Sequence, residues 1–258
     1  MTKRTRKQYR FATKAIHSGQ EPDSATGAVI VPIYATSTYA QESPGQFKGF
    51  DYSRTANPTR QSLEECMADL EGGSKAFAFA SGMAATATVL ELLNSGDHVI
   101  SMDDLYGGTY RLFENVRKRS SNLEFSFVDL SNIETLKENL KSNTKMIWVE
   151  SPSNPLLKVV DLKRVSEFAK ENNLLSVCDN TFCSPFVQRP LELGFDIVVH
   201  SATKYLNGHS DVVGGMAICS EANIDLAERL GFLSNSVGSI MSPFDSFLVL
   251  RSLKTLSL

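Results

Sequence analysis

Ser201-Ala202-Thr203-Lys204-Tyr205-Leu206-Asn207-Gly208-His209-Ser210-Asp211 is the most informative stretch of the chain. It follows an apolar run, Asp196-Ile197-Val198-Val199-His200, that reads as the end of a buried strand. A lysine just past a strand end, among small hydroxyl residues and a glycine, suits a covalent amine held in a tight pocket. Loss of solvation there disfavours the ammonium and frees the amine to attack a carbonyl. Ser201 and Thr203 beside it offer hydroxyl donors to a phosphate. Taken alone, such a lysine reads as an exposed loop side chain, and the upstream sequence separates the two readings.

At Val177-Cys178-Asp179-Asn180-Thr181-Phe182 an acid closes another apolar strand, Leu174-Leu175-Ser176-Val177-Cys178. In a parallel sheet both strand ends open onto the same edge, where ligands bind. An aspartate there can pair with the pyridine nitrogen of pyridoxal phosphate and keep it protonated, which makes the ring an electron sink. A lysine for covalent attachment, an acid for the ring nitrogen and hydroxyls for the phosphate form one coherent set.

With these residues in view, the chain resembles the Cys/Met-metabolism (transsulfuration) family of pyridoxal-phosphate enzymes. That group includes cystathionine γ-lyase, γ-synthase and β-lyase, and methionine γ-lyase. The likeness runs from about Phe11 to Leu258, in order and with the family's spacing. It implies the large domain of a type I pyridoxal-phosphate enzyme, with Lys204 holding the cofactor and moving protons on the substrate, and Asp179 on the ring nitrogen.

At 258 residues the chain is long enough for one large domain, or for one domain and part of another. Hydrophobic residues at 42% and charged residues at 21% are ordinary for a soluble globular protein. A formal net charge of −3 gives no argument for nucleic acid or for an anionic membrane surface. No apolar run approaches the roughly 18 residues that span a bilayer. The four cysteines, Cys66, Cys178, Cys183 and Cys219, make no CxxC pair and read as reduced thiols of a cytoplasmic protein. The four histidines show no metal-ligand spacing, so no metal site is expected. Lys3, Arg4, Arg6, Lys7 and Arg10 precede the first acid, Glu21, and no apolar segment follows them, which reads as a solvated tail rather than a secretory signal.

From Phe11 to about Arg60 turn formers outnumber periodic apolar positions, giving a long extended arm with short structured pieces. Residues 1–60 are therefore assigned to tail and arm, 61–245 to the large domain and 246–258 to the start of a linker helix. Leu63, Met67 and Leu70 predict a helix from Thr59 to Leu70, stopped by Gly72-Gly73. Lys75–Ala80 reads as a strand, and Ser81-Gly82-Met83 opens a helix through Leu93, so backbone amides at that turn suit an anion. His98–Met102, Glu124–Val128, Lys145–Glu150 and Met216–Cys219 complete the strands, with helices at Leu112–Lys118, around Leu136 and Leu140, and across Leu162–Ala169. About seven strands alternating with helices predict an α/β fold, a mostly parallel sheet covered on both faces.

The resemblance assigns further residues. Gly82 and Met83 hold the cofactor phosphate together with Ser201 and Thr203. Tyr106, in Tyr106-Gly107-Gly108-Thr109-Tyr110, stacks on the cofactor ring and acts on the substrate amine; Asn154, in Ser151-Pro152-Ser153-Asn154-Pro155, lies near the cofactor oxygen and the substrate carboxylate. Tyr52 and Arg54, in Tyr52-Ser53-Arg54, reach the phosphate of an adjacent subunit, a contact a guanidinium makes well. That sharing implies a homo-oligomer, at least a dimer and in this family commonly a tetramer. Phe247–Leu256 is an amphipathic helical pattern without a stop signal, where family members continue into a smaller C-terminal domain carrying the arginine that grips the substrate carboxylate; that domain is expected to be missing from this chain. Gly108 stands where methionine γ-lyases carry a cysteine, and Gly45-Gln46-Phe47-Lys48-Gly49-Phe50-Asp51-Tyr52 resembles γ-lyases most closely. The leading expectation is cystathionine cleavage at the γ carbon. γ-Replacement on an activated homoserine and β-cleavage follow it, and a non-catalytic cofactor-binding or assembly module is the alternative of another class.

Overall fold

The computed structural model describes residues 9–258, and Lys3, Arg4, Arg6 and Lys7 of the expected tail lie outside the described residues. The arm begins with α1 (Phe11–His17), whose Phe11 ring packs edge-on against Phe186 at 5.3 Å, and later folds back as a short hairpin of β1 (Gln41–Ser43) and β2 (Gln46–Phe47). Asn57 then caps α2 (Pro58–Glu71): its side-chain oxygen accepts from the amides of Thr59 at 3.0 Å and Arg60 at 3.3 Å, with a proline at the first helical position. Gly72, at φ 73°, ends the helix in the left-handed conformation that favours glycine.

Next come β3 (Lys75–Phe79), α3 (Gly82–Leu90), β4 (His98–Met102) and α4 (Gly107–Arg111), which runs through a π-helical turn at Leu112–Arg117 into α5 (Lys118–Ser120). β5 (Glu124–Val128), α6 (Glu134–Glu138), β6 (Thr144–Glu150), α7 (Leu162–Glu171), β7 (Leu175–Asp179) and α8 (Ser184–Val187) follow. The chain then passes through β8 (Ile197–Ser201), β9 (Gly215–Cys219), α9 (Ile224–Val237) and α10 (Pro243–Leu253). The sheet has seven strands in the order β3-β9-β8-β7-β6-β4-β5. β9 runs antiparallel to both its neighbours and every other pair is parallel, so the mostly parallel α/β sheet expected from the sequence is present. β6, β7 and β8 therefore end at one edge.

Side chains alternate between the faces, as the period-2 geometry of a strand requires. Ile147, Val149, Cys178 and Val198 pack into one core layer with Leu63, Met67 and Leu70 of α2, Val165 of α7 and Val249 of α10. Met146, Trp148, Val177, Ile197 and Val199 enter the other with Val89 of α3, Phe113 and Leu230 of α9. Both faces are covered, which explains why these strands read as continuous apolar runs.

Three boundaries differ from the expectation. The helix expected from Leu112 starts at Gly107, because Gly107 and Gly108 are helical rather than flexible. A Cβ on Gly108 would lie 2.4 Å from the Tyr106 ring, so the glycine makes room for the aromatic rather than loosening the loop. α3 ends at Leu90 instead of Leu93, and α10 begins at Pro243, ahead of Phe247. Ser242 caps α10 by accepting from the Asp245 amide at 3.0 Å, the serine–proline signature of a helix start.

Candidate active site

The ends of β6, β7 and β8 meet the N-termini of α3 and α4 around a cavity of about 290 Å³. Eight of the residues expected at the site line it: Gly82, Met83, Tyr106, Asn154, Asp179, Ser201, Thr203 and Lys204. Residues from five loops thus converge, although they are spread over nearly half of the sequence.

Asp179 is the last residue of β7, on the strand face that also presents Val177. Its carboxylate accepts from the Thr181 amide at 3.0 Å and the Thr181 hydroxyl at 2.6 Å. Desolvation raises its pKa; the Thr181 bonds and the nearby His200 oppose the rise without cancelling it. A cationic ring nitrogen is the kind of partner that offsets such a cost.

Directly across the register from Asp179 stands Glu150, the last residue of β6. It is buried and accepts the Tyr106 amide at 2.8 Å. Burial first, and the charge of Asp179 second, push its carboxyl up to about 8. The sequence reading did not select Glu150 as a site residue. The signal was there, since the rule that picked Asp179, an acid closing an apolar strand, applies equally to Lys145–Glu150. Thr181, which orients Asp179 and accepts the Ser201 amide at 2.9 Å, was missed for want of any motif of its own.

Ser81 caps α3, its hydroxyl accepting the Ala84 amide at 3.0 Å, so the amides of Gly82 and Met83 lie in the first helical turn, where backbone donors have no intrahelical acceptor. Across from them, a Cβ on Gly82 would come within 3.0 Å of Ser201, so only glycine lets the helix start and the lysine loop approach this closely. The Thr203 hydroxyl exchanges hydrogen bonds with the Gly214 backbone, donating at 3.3 Å and accepting at 3.0 Å. Helix-terminal amides, hydroxyls, a lysine amine and a strand-end carboxylate make a donor set that fits pyridoxal phosphate.

One expectation needs correction. The amine of Lys204 was expected in a tight pocket, yet its side chain is exposed, on a turn closed by Gly208 N–H to Lys204 O at 2.8 Å. It stands at the open side of the cavity with Phe182, Tyr205 and Val213. Tyr52 and Arg54 do not line the cavity: Arg54 lies over the Tyr52 ring at 5.3 Å and donates to Asn235 of α9. Within one chain the arm does not join the other eight residues.

Residues 12–258 match the family model described as Cys/Met metabolism PLP-dependent enzyme. The chain belongs to that family. It is 61% identical over 258 residues to a cystathionine β-lyase of Coxiella burnetii, covering 100% of this chain and 66% of the relative. A probable cystathionine γ-synthase of Herpetosiphon aurantiacus is 52% identical over 250 residues, covering 97% and 77%. Among solved structures, a cystathionine γ-lyase from Lactobacillus plantarum complexed with L-serine superposes with a TM-score of 0.93 at 46% identity, covering 96% of this chain and 64% of that one. The chain thus spans slightly under two thirds of the length of the first and third of these proteins. The family's cofactor is pyridoxal phosphate, and among the described residues no helix is long and apolar enough to cross a membrane.

Proposed function

We propose that the chain is the cofactor-holding part of a carbon–sulfur lyase that cleaves cystathionine by γ-elimination, releasing cysteine, 2-oxobutyrate and ammonia. The observation that carries this reading is the convergence of Lys204, Asp179 and the α3 N-terminus on one cavity, within a chain of this family. Bound pyridoxal phosphate supplies an electron sink for negative charge at the substrate carbons.

Each residue then has a separable task. Gly82, Met83, Ser201 and Thr203 bind the phosphate through amides and hydroxyls. Asp179 keeps the proton on the ring nitrogen, and Thr181 fixes its orientation. Tyr106 would stack on the ring, and Asn154 would orient oxygen groups of the cofactor and substrate. Lys204, exposed at the open side of the cavity, would hold the cofactor and move a proton between the α, β and γ positions of the substrate. Tyr52 and Arg54 complete the phosphate site of a neighbouring copy, which makes the enzyme at least a dimer; we place it in the cytoplasm.

γ-Elimination leads because the arm sequence Gly45–Tyr52 resembles γ-lyases most closely, while Tyr106-Gly107-Gly108 departs from methionine γ-lyases and from the better-known bacterial β-lyases. β-Elimination is the second reading, favoured by the name of the 61% identical relative. Keto-acid identification after incubating the full-length protein with cofactor and cystathionine separates them. Equimolar 2-oxobutyrate and cysteine are expected; pyruvate would establish β-cleavage, and neither product would leave γ-replacement or a non-catalytic module.

A further inference from the structure

Beneath the cavity, on the opposite face of the same three strand ends, lies a buried polar cluster. The alternation that aims Glu150, Asp179 and Ser201 at the cavity turns their chain neighbours Ser151, Asn180 and His200 toward α2. Glu71, the last residue of α2, meets them there. His200 Nε2 lies 2.5 Å from Glu71 Oε1, and both side chains are fully buried. Asn180 donates to the same Glu71 oxygen at 3.1 Å and to the Gln188 carbonyl at 2.7 Å. The Gln188 amide nitrogen returns one bond to Asn180 Oδ1 and gives another to the Ser151 carbonyl, both at 3.0 Å. One cluster therefore ties together the ends of β6, β7 and β8.

Its composition is unfavourable as mere packing. A helix C-terminus favours cations, so Glu71 is badly placed on local grounds. Glu71 Oε2 and His200 Nδ1 are buried without partners, a cost that apolar side chains would avoid. Leu63, Met67 and Leu70 make the apolar contact between α2 and the rest of that core layer. What the polar cluster adds is register, since each hydrogen bond holds the residue next to one that faces the cavity.

We propose that Glu71, His200, Asn180 and Gln188 form a positioning network that sets Asp179 and the Lys204 loop for the cofactor. His200 also borders the cavity, but its ring is fully buried against Glu71, and none of the four needs to touch the cofactor. They act through the backbone, by fixing where three strand ends stand relative to one another. The inference rests on the cofactor-holding reading of the cavity.

The test is pyridoxal phosphate binding to cofactor-free full-length protein, followed by the visible spectrum of the bound cofactor. Glu71→Ala is expected to weaken binding by about tenfold or more and to shift the spectrum, because it removes the acceptor shared by His200 and Asn180. Glu71→Gln keeps an acceptor and should restore wild-type affinity to within about twofold. Leu70→Ala, one residue away and buried in the apolar layer, should lower the melting temperature while leaving affinity and spectrum unchanged. If Glu71→Ala does not fold, Gln188→Met cuts the network at its half-buried end and should shift affinity and spectrum in the same direction. Wild-type affinity and spectrum in Glu71→Ala or Gln188→Met overturn the proposal. So does a Glu71→Gln loss as large as that of Glu71→Ala, which would make charge rather than position the cause. If the wild-type protein itself fails to bind the cofactor, it is the cavity reading that falls.

Discussion

Replacing Asp179 by asparagine keeps the size of the side chain and an oxygen for Thr181 but removes the negative charge that faces the cavity. A ring nitrogen no longer held protonated is a poor electron sink, so kcat should fall by roughly 10²-fold or more with the fold intact. Lys204→Ala removes the amine that attaches the cofactor and moves protons, and a loss of roughly 10³-fold or more is expected in the same assay. Near-normal turnover in either variant would remove these residues from the chemistry. Glu150 makes a different prediction, read in the cofactor-free protein. Its carboxyl is raised to about 8, so between the ordinary carboxylate range and that value the folded chain holds a proton that the unfolded chain releases. Stability must therefore fall as pH rises through the window. Glu64, raised by burial to about 7, and Asp179, raised by burial and facing Glu150, contribute to the same slope, so between about 7 and about 8 the decline belongs to the Glu150–Asp179 pair together. In Glu150→Gln the decline of melting temperature across that interval should flatten, and an unchanged decline would show that Glu150 does not hold the proton.

At the scale of elements, the two periodicities of the chain explain what was legible. Strands buried on both faces appear as short apolar runs, and acids or hydroxyls at their ends mark where the sheet opens; Asp179 and the Lys204 loop were found in this way. Single-residue alternation hides the rest. Glu150 and Ser151, or Asp179 and Asn180, look alike as polar residues after a strand, yet they face opposite layers, and only the sheet order brings Glu71 to their far side. Exposure of Lys204 was illegible for a related reason, since it depends on how the loop after β8 sits in the whole fold, which no local pattern records. The space that Gly108 leaves is likewise invisible in the sequence. Gly108→Ala puts a methyl group within 2.4 Å of the Tyr106 ring and must displace it. Cofactor affinity should then drop several-fold while α4, gaining a better helix former, does not lose stability. Equal affinity would mean that Tyr106 does not stack on the ring.

For the molecule as a whole, the arm poses the main question. Tyr52 and Arg54 sit apart from the cavity of their own chain, and the proposed function gives them to a neighbour. Hybrid oligomers distinguish the possibilities. When inactive Arg54→Ala and Lys204→Ala full-length proteins are unfolded together and reassembled, each mixed dimer has one site carrying both lesions and one carrying neither. Partial recovery of turnover is expected from sharing, and no recovery would confine each site to one chain. The measurement that bears most directly on the site itself is borohydride reduction of the cofactor-loaded, full-length protein, followed by mass analysis of its peptides. Pyridoxal phosphate fixed to the peptide that contains Lys204, and lost in Lys204→Ala, is the expected result. Attachment to any other lysine, or none at all, would contradict the placement of the cofactor at the joined ends of β6, β7 and β8.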